Sequence, residues 1–175
     1  ARGRRGAAPR RGHGCLAGAR GDARGGAQEA RRRHRQWPRV NDKKLVYSNV
    51  DGIFSRNKNY ALQVKTADCL PIFFIHEHED IFGVIHAGWK GLKNGIISKS
   101  TKLLSSHIND LHEITAFIGP SISQKNYEVK NEFIDYFDNE FIENIDDKFF
   151  CNLKGVASSQ LQKLGIKKDR KSTRL

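Results

Sequence analysis

From residue 41 onward the apolar positions of the chain follow two rhythms, one of about two residues and one of three to four, the marks of strand and helix. Leu45-Val46-Tyr47 predicts a short strand that enters a turn at Asn49-Val50-Asp51-Gly52. Tyr60–Thr66 sets Tyr, Leu and Val against Ala, Gln and Lys, the alternation of a half-buried strand. Leu70–Ile75 is continuously apolar, which predicts a strand buried on both faces. His76-Glu77-His78-Glu79-Asp80 reads as a polar turn, after which Ile81–His86 returns as the next strand, so that the two runs form a hairpin. Leu92, Ile96, Ile97, Ser100, Leu103 and Leu104 recur at helical spacing and predict one amphipathic helix ending near His107. Ile114–Ile118 predicts a strand closed by Gly119-Pro120-Ser121. Glu132–Phe141 predicts a second helix with Phe133, Ile134 and Phe137 inward. Phe149, Phe150 and Leu153 suggest a short strand, and Val156–Leu164 a helix stopped by Gly165.

The first forty residues share none of this. They carry twelve arginines, no lysine, and only Leu16, Trp37 and Val40 as large apolar residues, while all ten phenylalanines and sixteen lysines follow residue 40. Against Asp22 and Glu29 alone, the arginines give this segment a charge of +10, and the remainder carries +2 of the total +12. With so little to bury, residues 1–40 are expected to be disordered, or a foreign segment joined to the domain. The domain itself is expected over residues 41–166, with 167–175 as a charged, patternless tail. A basic arm suits nucleic acid through phosphate neutralisation, but the segment lacks the repeated aromatic interleaving that stacks bases, Trp37 being its one aromatic residue, which speaks against a nucleic-acid partner. No apolar run approaches the roughly 20 residues that span a bilayer, and no apolar stretch follows the arginines as in a secretory signal. Three cysteines, Cys15, Cys69 and Cys151, fit a reducing cytoplasm better than a disulfide framework.

The sharpest chemistry lies at the hairpin's open end. With the turn centred near His78, Cys69 is nine residues before it and His86 eight after, so an antiparallel pair places the two almost opposite each other. A buried structural cysteine and a satisfied core histidine are the bland readings. Together the pair has two functional readings, a thiolate–imidazolium nucleophile or two protein ligands of a catalytic zinc, and spacing does not choose between them. Asp68 stands beside Cys69 as a residue able to orient a ligand or carry a proton. Gly88, Lys90 and Gly91 form a strand-to-helix turn with free N–H groups and a cation, an anion site for phosphate. His76 and His78 read as solvated turn residues, and His107 and His112 carry no assignment. Tyr127-Glu128-Val129 reads as a helix start in which Glu128 favours the dipole.

The ordered string Asp51-Gly52-Ile53, Thr66-Ala67-Asp68-Cys69-Leu70-Pro71, His86-Ala87-Gly88-Trp89-Lys90-Gly91-Leu92, Ile118-Gly119-Pro120-Ser121-Ile122 and Tyr127-Glu128-Val129 resembles the bacterial YfiH/YlmD group over about residues 45–166. This group was once labelled polyphenol oxidase or laccase-domain, with copper in its older labels, and a human immunometabolic laccase-domain protein is a relative. The resemblance implies a single α/β (α+β) domain in which mixed β-sheets are flanked by helices in layers. It implies a zinc site of His, Cys and His beside a pocket for adenosine, inosine or methylthioadenosine, with phosphorolysis and adenosine deamination as activities. Cys69 and His86 fall on the last two ligands. His34 lies in the window of the first, without the Gln-Val-His-Gly-like motif that surrounds it in the family. Asn152 and Ser158 stand where many members have Asp and Asn, and the C-terminal Cys- and Arg-containing motifs of the family are absent.

The expectation is therefore a cytoplasmic, zinc-dependent purine nucleoside phosphorylase and adenosine deaminase, taking a purine nucleoside and phosphate. Its competitors are a Cys–His hydrolase acting on a cell-wall precursor, an inactive family fragment, and, last, a basic-armed nucleic-acid binder.

Overall fold

Residues 16–18 and 46–168 are described by a computed structural model of the chain. The principal sheet holds β1 (Leu16–Gly18), β2 (Gly52–Ser55), β3 (Leu70–His76), β4 (Phe82–Ala87), β5 (Ile114–Ile118) and β9 (Lys167–Lys168). Their order is β1-β2-β4-β3-β5-β9, antiparallel throughout except for the parallel β5–β9 pair. A small second sheet contains β6 (Glu128–Val129), β7 (Ile142–Ile145) and β8 (Lys148–Cys151), with β8 central. Three helices, α1 (Trp89–Lys93), α2 (Ile96–Ser105) and α3 (Leu153–Lys163), complete a mixed α+β architecture.

Alternation along the central strands decides where the core lies. Leu70, Ile72 and Phe74 of β3 join Phe54, Ile85 and Ile114 on one face, where they meet Leu92, Ile97, Leu104 and Leu161 of the helices, all buried. Each such side chain stabilises the fold by about 1.5–3 kcal/mol relative to leaving it in water. Phe54 lies opposite Gly83 in the β2–β4 register, and a side chain at 83 would overlap its ring. The odd positions of β3 look the other way: Phe73 and Ile75 are 39% and 47% exposed, so this strand is not buried on both faces as its composition suggests. An antiparallel sheet can leave one face open where helices cover only the other.

Several local expectations change for physical reasons. β3 runs one residue further than its apolar stretch, and His76 takes the inward phase of Ile72 and Phe74 rather than a place in a solvated turn. Its Nδ1 accepts the backbone N–H groups of His78 and Glu79 at 3.2 and 2.9 Å, organising the tight turn that follows. The long helix is two, α1 and α2, because Gly95 adopts φ +71° and breaks a pattern whose apolar spacing continues across it. Val46 and Tyr47 are not a strand, and Leu45 lies outside the described residues. Tyr60–Thr66 keeps the expected alternation, with Tyr60, Leu62, Val64 and Thr66 half-buried, but it joins no strand ladder.

The region 131–141 forms two 3-10 segments, Asn131–Asp135 and Asn139–Phe141, instead of an α-helix. Phe133 and Tyr136 are held there by Trp89, whose ring stacks on Tyr136 at 5.7 Å and 5°. Tyr127-Glu128-Val129 leads into β6, and Glu128 pairs with Lys148 at 3.2 Å instead of capping a helix. Leu153 belongs to α3, whose Asn152 side chain accepts the Gly155 N–H at 2.8 Å. Leu16–Gly18 and Lys167–Lys168, from the two terminal segments expected to lack structure, are strands at opposite edges of the principal sheet.

Candidate metal and nucleoside site

β3 begins and β4 ends at the same margin of the principal sheet. The register pairs Leu70 with Ala87 and Pro71 with His86, which carries Cys69 towards Gly88. Cys69 and His86 are therefore offset diagonally rather than opposed, because the turn is centred between His78 and Glu79. They still converge. A β-carbon placed on Gly88 would lie 2.9 Å from Cys69 Sγ and 3.9 Å from His86 Nε2, so both donor atoms face the space left by that missing side chain. Gly88 has φ −81° and ψ 172°, extended backbone open to any residue, so what the glycine provides here is room.

Both groups are half-buried, and burial disfavours the charged form of each. Burial, and secondarily the negative charge of Asp68, pushes the Cys69 thiol above its ordinary range. Burial pulls the His86 imidazole down, against an opposing pull from Asp51. Asp51 is a neighbour that spacing did not single out: its carbonyl accepts the His86 N–H at 2.6 Å. In the sequence it stood as part of the Asn49-Val50-Asp51-Gly52 turn and of the Asp51-Gly52-Ile53 string, with no role at the site attached.

A third segment completes this margin. Beyond β5, the Gly119 N–H donates to Pro71 O at 2.9 Å and the Ile122 N–H to Asp68 O at 3.0 Å, which binds the Gly119-Pro120-Ser121 turn to the strand entry carrying Cys69. Tyr127 follows, its phenol pushed up to about 12, mainly by burial and then by the charges of Cys151, Cys69 and Asp68. Cys151 is fully buried, its thiol pushed up to about 11 by the same cause, and is chemically quiet.

The other expected residues are placed as follows. Asp68 is exposed and adjoins Cys69. Lys90 is exposed on α1, its Nζ 5.4 Å from the centre of the Trp89 ring. Gly91 packs against Ile96, where a β-carbon would meet Ile96 at 3.4 Å. His34 lies outside the described residues. His76 and His78 are at the far end of the hairpin and take no part.

A soft thiol and an imidazole facing a cradle that one methyl group would fill are a donor set that fits zinc or copper. Among the described residues no group of three or more His, Cys, Asp or Glu side chains that could hold a metal surrounds this point. No helix among them is long and apolar enough to cross a membrane.

The model of one protein family matches residues 22–174 of the chain. The chain belongs to the family described as multi-copper polyphenol oxidoreductase laccase. Among curated relatives, a purine nucleoside phosphorylase of Aquifex aeolicus is 38% identical over 67% of this chain and 54% of its own. One of Campylobacter jejuni is 36% identical over 73% and 56% respectively. The solved structure of Bacillus licheniformis YfiH is similar with a TM-score of 0.62 at 26% identity, covering 69% of this chain and 51% of that one. A Neisseria meningitidis protein matches with a TM-score of 0.61 at 28% identity, covering 69% and 51%. The chain spans about half the length of these relatives.

Proposed function

We propose that this chain carries the metal-binding core of a cytoplasmic purine nucleoside enzyme, one that cleaves adenosine, inosine or methylthioadenosine with phosphate and deaminates adenosine. The observation that carries the reading is the convergence of Cys69 Sγ and His86 Nε2 on the space above Gly88. In this reading Cys69 and His86 hold zinc together with His34, and a zinc ion held there supplies Lewis acidity. Cys69, its thiol pushed up by burial, would bind the metal as thiolate, and His86, its imidazole pulled down by burial, would offer Nε2 at the cradle. Asp68, adjoining the pair, accepts and returns protons. Lys90, with the Gly88–Gly91 turn, supplies the cation and N–H groups for phosphate. The names of the Aquifex aeolicus and Campylobacter jejuni relatives support purine nucleosides as the substrate class.

A cysteine hydrolase needs the opposite electrostatics, a thiol pulled down and an imidazole pushed up into an ion pair. Both shifts run the other way here, which favours the metal reading.

The deciding experiment loads the full chain with zinc and assays adenosine, with and without phosphate, beside Cys69→Ala. Adenine or inosine formation that vanishes in the variant supports the reading. Full activity in Cys69→Ala, or activity blocked by iodoacetamide and indifferent to chelators, overturns it.

A further inference from the structure

β4, the strand that ends in His86, lies between β2 and β3 in the principal sheet. On the β3 side the register sets Pro71 opposite His86 and carries Cys69 to Gly88. On the β2 side it sets Gly52 opposite Ile85, which carries Asp51 to His86. The backbone bears out that last pairing, since the His86 N–H donates to the Asp51 carbonyl at 2.6 Å. Residues opposed in this way project their side chains to the same face, with β-carbons about 4.5–5.5 Å apart. The neighbouring pair shows how closely the two strands approach: a β-carbon on Gly52 would lie 2.6 Å from Ile85 Cγ2.

The period of two then gathers three residues on one face. Leu70 and Ile85 are turned into the core, so Cys69 and His86, each one residue away, are turned from it, and Asp51 lies on the side of His86. All three are half-buried. The imidazole therefore has a different neighbour on each flank. Towards β3, its Nε2 faces the space above Gly88 that Cys69 Sγ also faces. Towards β2 stands a carboxylate, near enough for its charge to act on the ring. The other carboxylate of this margin, Asp68, acts on Cys69 and Tyr127.

A neutral imidazole that offers one nitrogen to a metal carries its proton on the other, and the partner of that proton fixes the tautomer and the ring's orientation. We infer that Asp51 is a positioning residue whose carboxylate accepts the Nδ1 proton of His86, leaving the Nε2 lone pair aimed at the space above Gly88. This rests on the metal reading above and deepens it, adding to the two donors the residue that orients one of them. The main chain of Asp51 already serves the strand pairing, so its side chain is the part given over to the ring.

The test uses the full chain labelled with nitrogen-15 histidine, unmodified and as Asp51→Ala and Asp51→Asn, with His86→Gln to assign the His86 signals. Both Asp51 variants keep the carbonyl that pairs with the His86 N–H, so the register is retained. Without metal, above the ordinary histidine value of 6.5, long-range proton–nitrogen correlation spectra report which ring nitrogen holds the proton. His86 is expected in the Nδ1–H form in the unmodified protein, moving towards the Nε2–H form in Asp51→Ala. Zinc affinity, by chelator competition, should fall about 10- to 100-fold in Asp51→Ala, the usual cost of removing such a partner. Asp51→Asn, whose amide oxygen still accepts a proton, should keep the Nδ1–H form and lose less affinity. An Nε2–H ring in the unmodified protein, a tautomer indifferent to Asp51→Ala, or a fall in melting temperature as the sole effect of the variants overturns the role of Asp51 alone. An unmodified chain that binds no zinc overturns the metal reading, and the positioning role with it.

Discussion

Cys69 and Gly88 are partners in space: the thiol sulfur occupies ground that a β-carbon at position 88 would approach to 2.9 Å. Gly88→Ala should therefore act on the site and hardly on the backbone, whose extended conformation suits alanine. Zinc affinity is expected to fall at least tenfold in chelator competition, with a stability loss within the roughly 1–3 kcal/mol of a mildly overpacked position. Unchanged zinc affinity would show that the two donors do not meet over this residue.

Proton release on metal binding follows from the direction of the two shifts. With the Cys69 thiol pushed up and the His86 imidazole pulled down, the thiol is the one of these two that has a proton to lose above pH 6.5. Zinc affinity should rise about tenfold per pH unit from pH 6.5 to 8.5, one proton per metal. Calorimetry in buffers of different ionisation enthalpy counts that proton directly, and zinc binding that releases no proton across this range would refute the assignment.

Without metal, the same shifts shape stability. His86 binds its proton less readily folded than unfolded, so stability is lost as pH falls below the ordinary histidine value of 6.5. Cys69, Cys151 and Tyr127 hold theirs more tightly folded, so stability is also lost as pH rises above the ordinary thiol value of 9.0. Chemical denaturation across pH should show a plateau between these limits. His86→Gln should flatten its acid side, and a plateau that continues to pH 5 in the unmodified protein would contradict the burial of His86.

His76 is expected to matter to folding and not to the site. Removing its ring leaves the His78 and Glu79 N–H groups without their acceptor, at a cost of about 1–3 kcal/mol. His76→Ala should lower the denaturation midpoint by that amount while zinc affinity holds. Loss of zinc in this variant alone would mean that the far end of the hairpin reaches the site.

Gly83→Ala should be the most damaging of these changes, because any β-carbon at 83 overlaps the Phe54 ring. A loss of about 3 kcal/mol or more is expected, at the upper end of overpacking effects. Phe54→Leu in the same chain should recover part of it.

The hairpin was readable because an apolar run, a polar turn and a second run leave one antiparallel solution, which brings Cys69 and His86 to one margin. The offset between them was hidden in the turn, whose centre between His78 and Glu79 opposes Cys69 to Gly88 rather than to His86. The division of α1 from α2 was masked because Leu92, Ile96 and Ile97 keep helical spacing across Gly95. Glu132–Phe141 carries helical periodicity too, yet its aromatic residues serve Trp89 in 3-10 turns. Asp51 does not announce itself, since its meaning depends on strands distant in sequence lying side by side.

Two backbone bonds, Ile122 N–H to Asp68 O and Gly119 N–H to Pro71 O, fasten the loop after β5 to the strand entry that holds Cys69. The loop and the strand entry are thereby coupled, so a ligand arriving at this margin is expected to find the two segments already in register. Its arrival is then a single encounter: the observed rate climbs in proportion to ligand concentration, without the plateau that a slow closing step imposes.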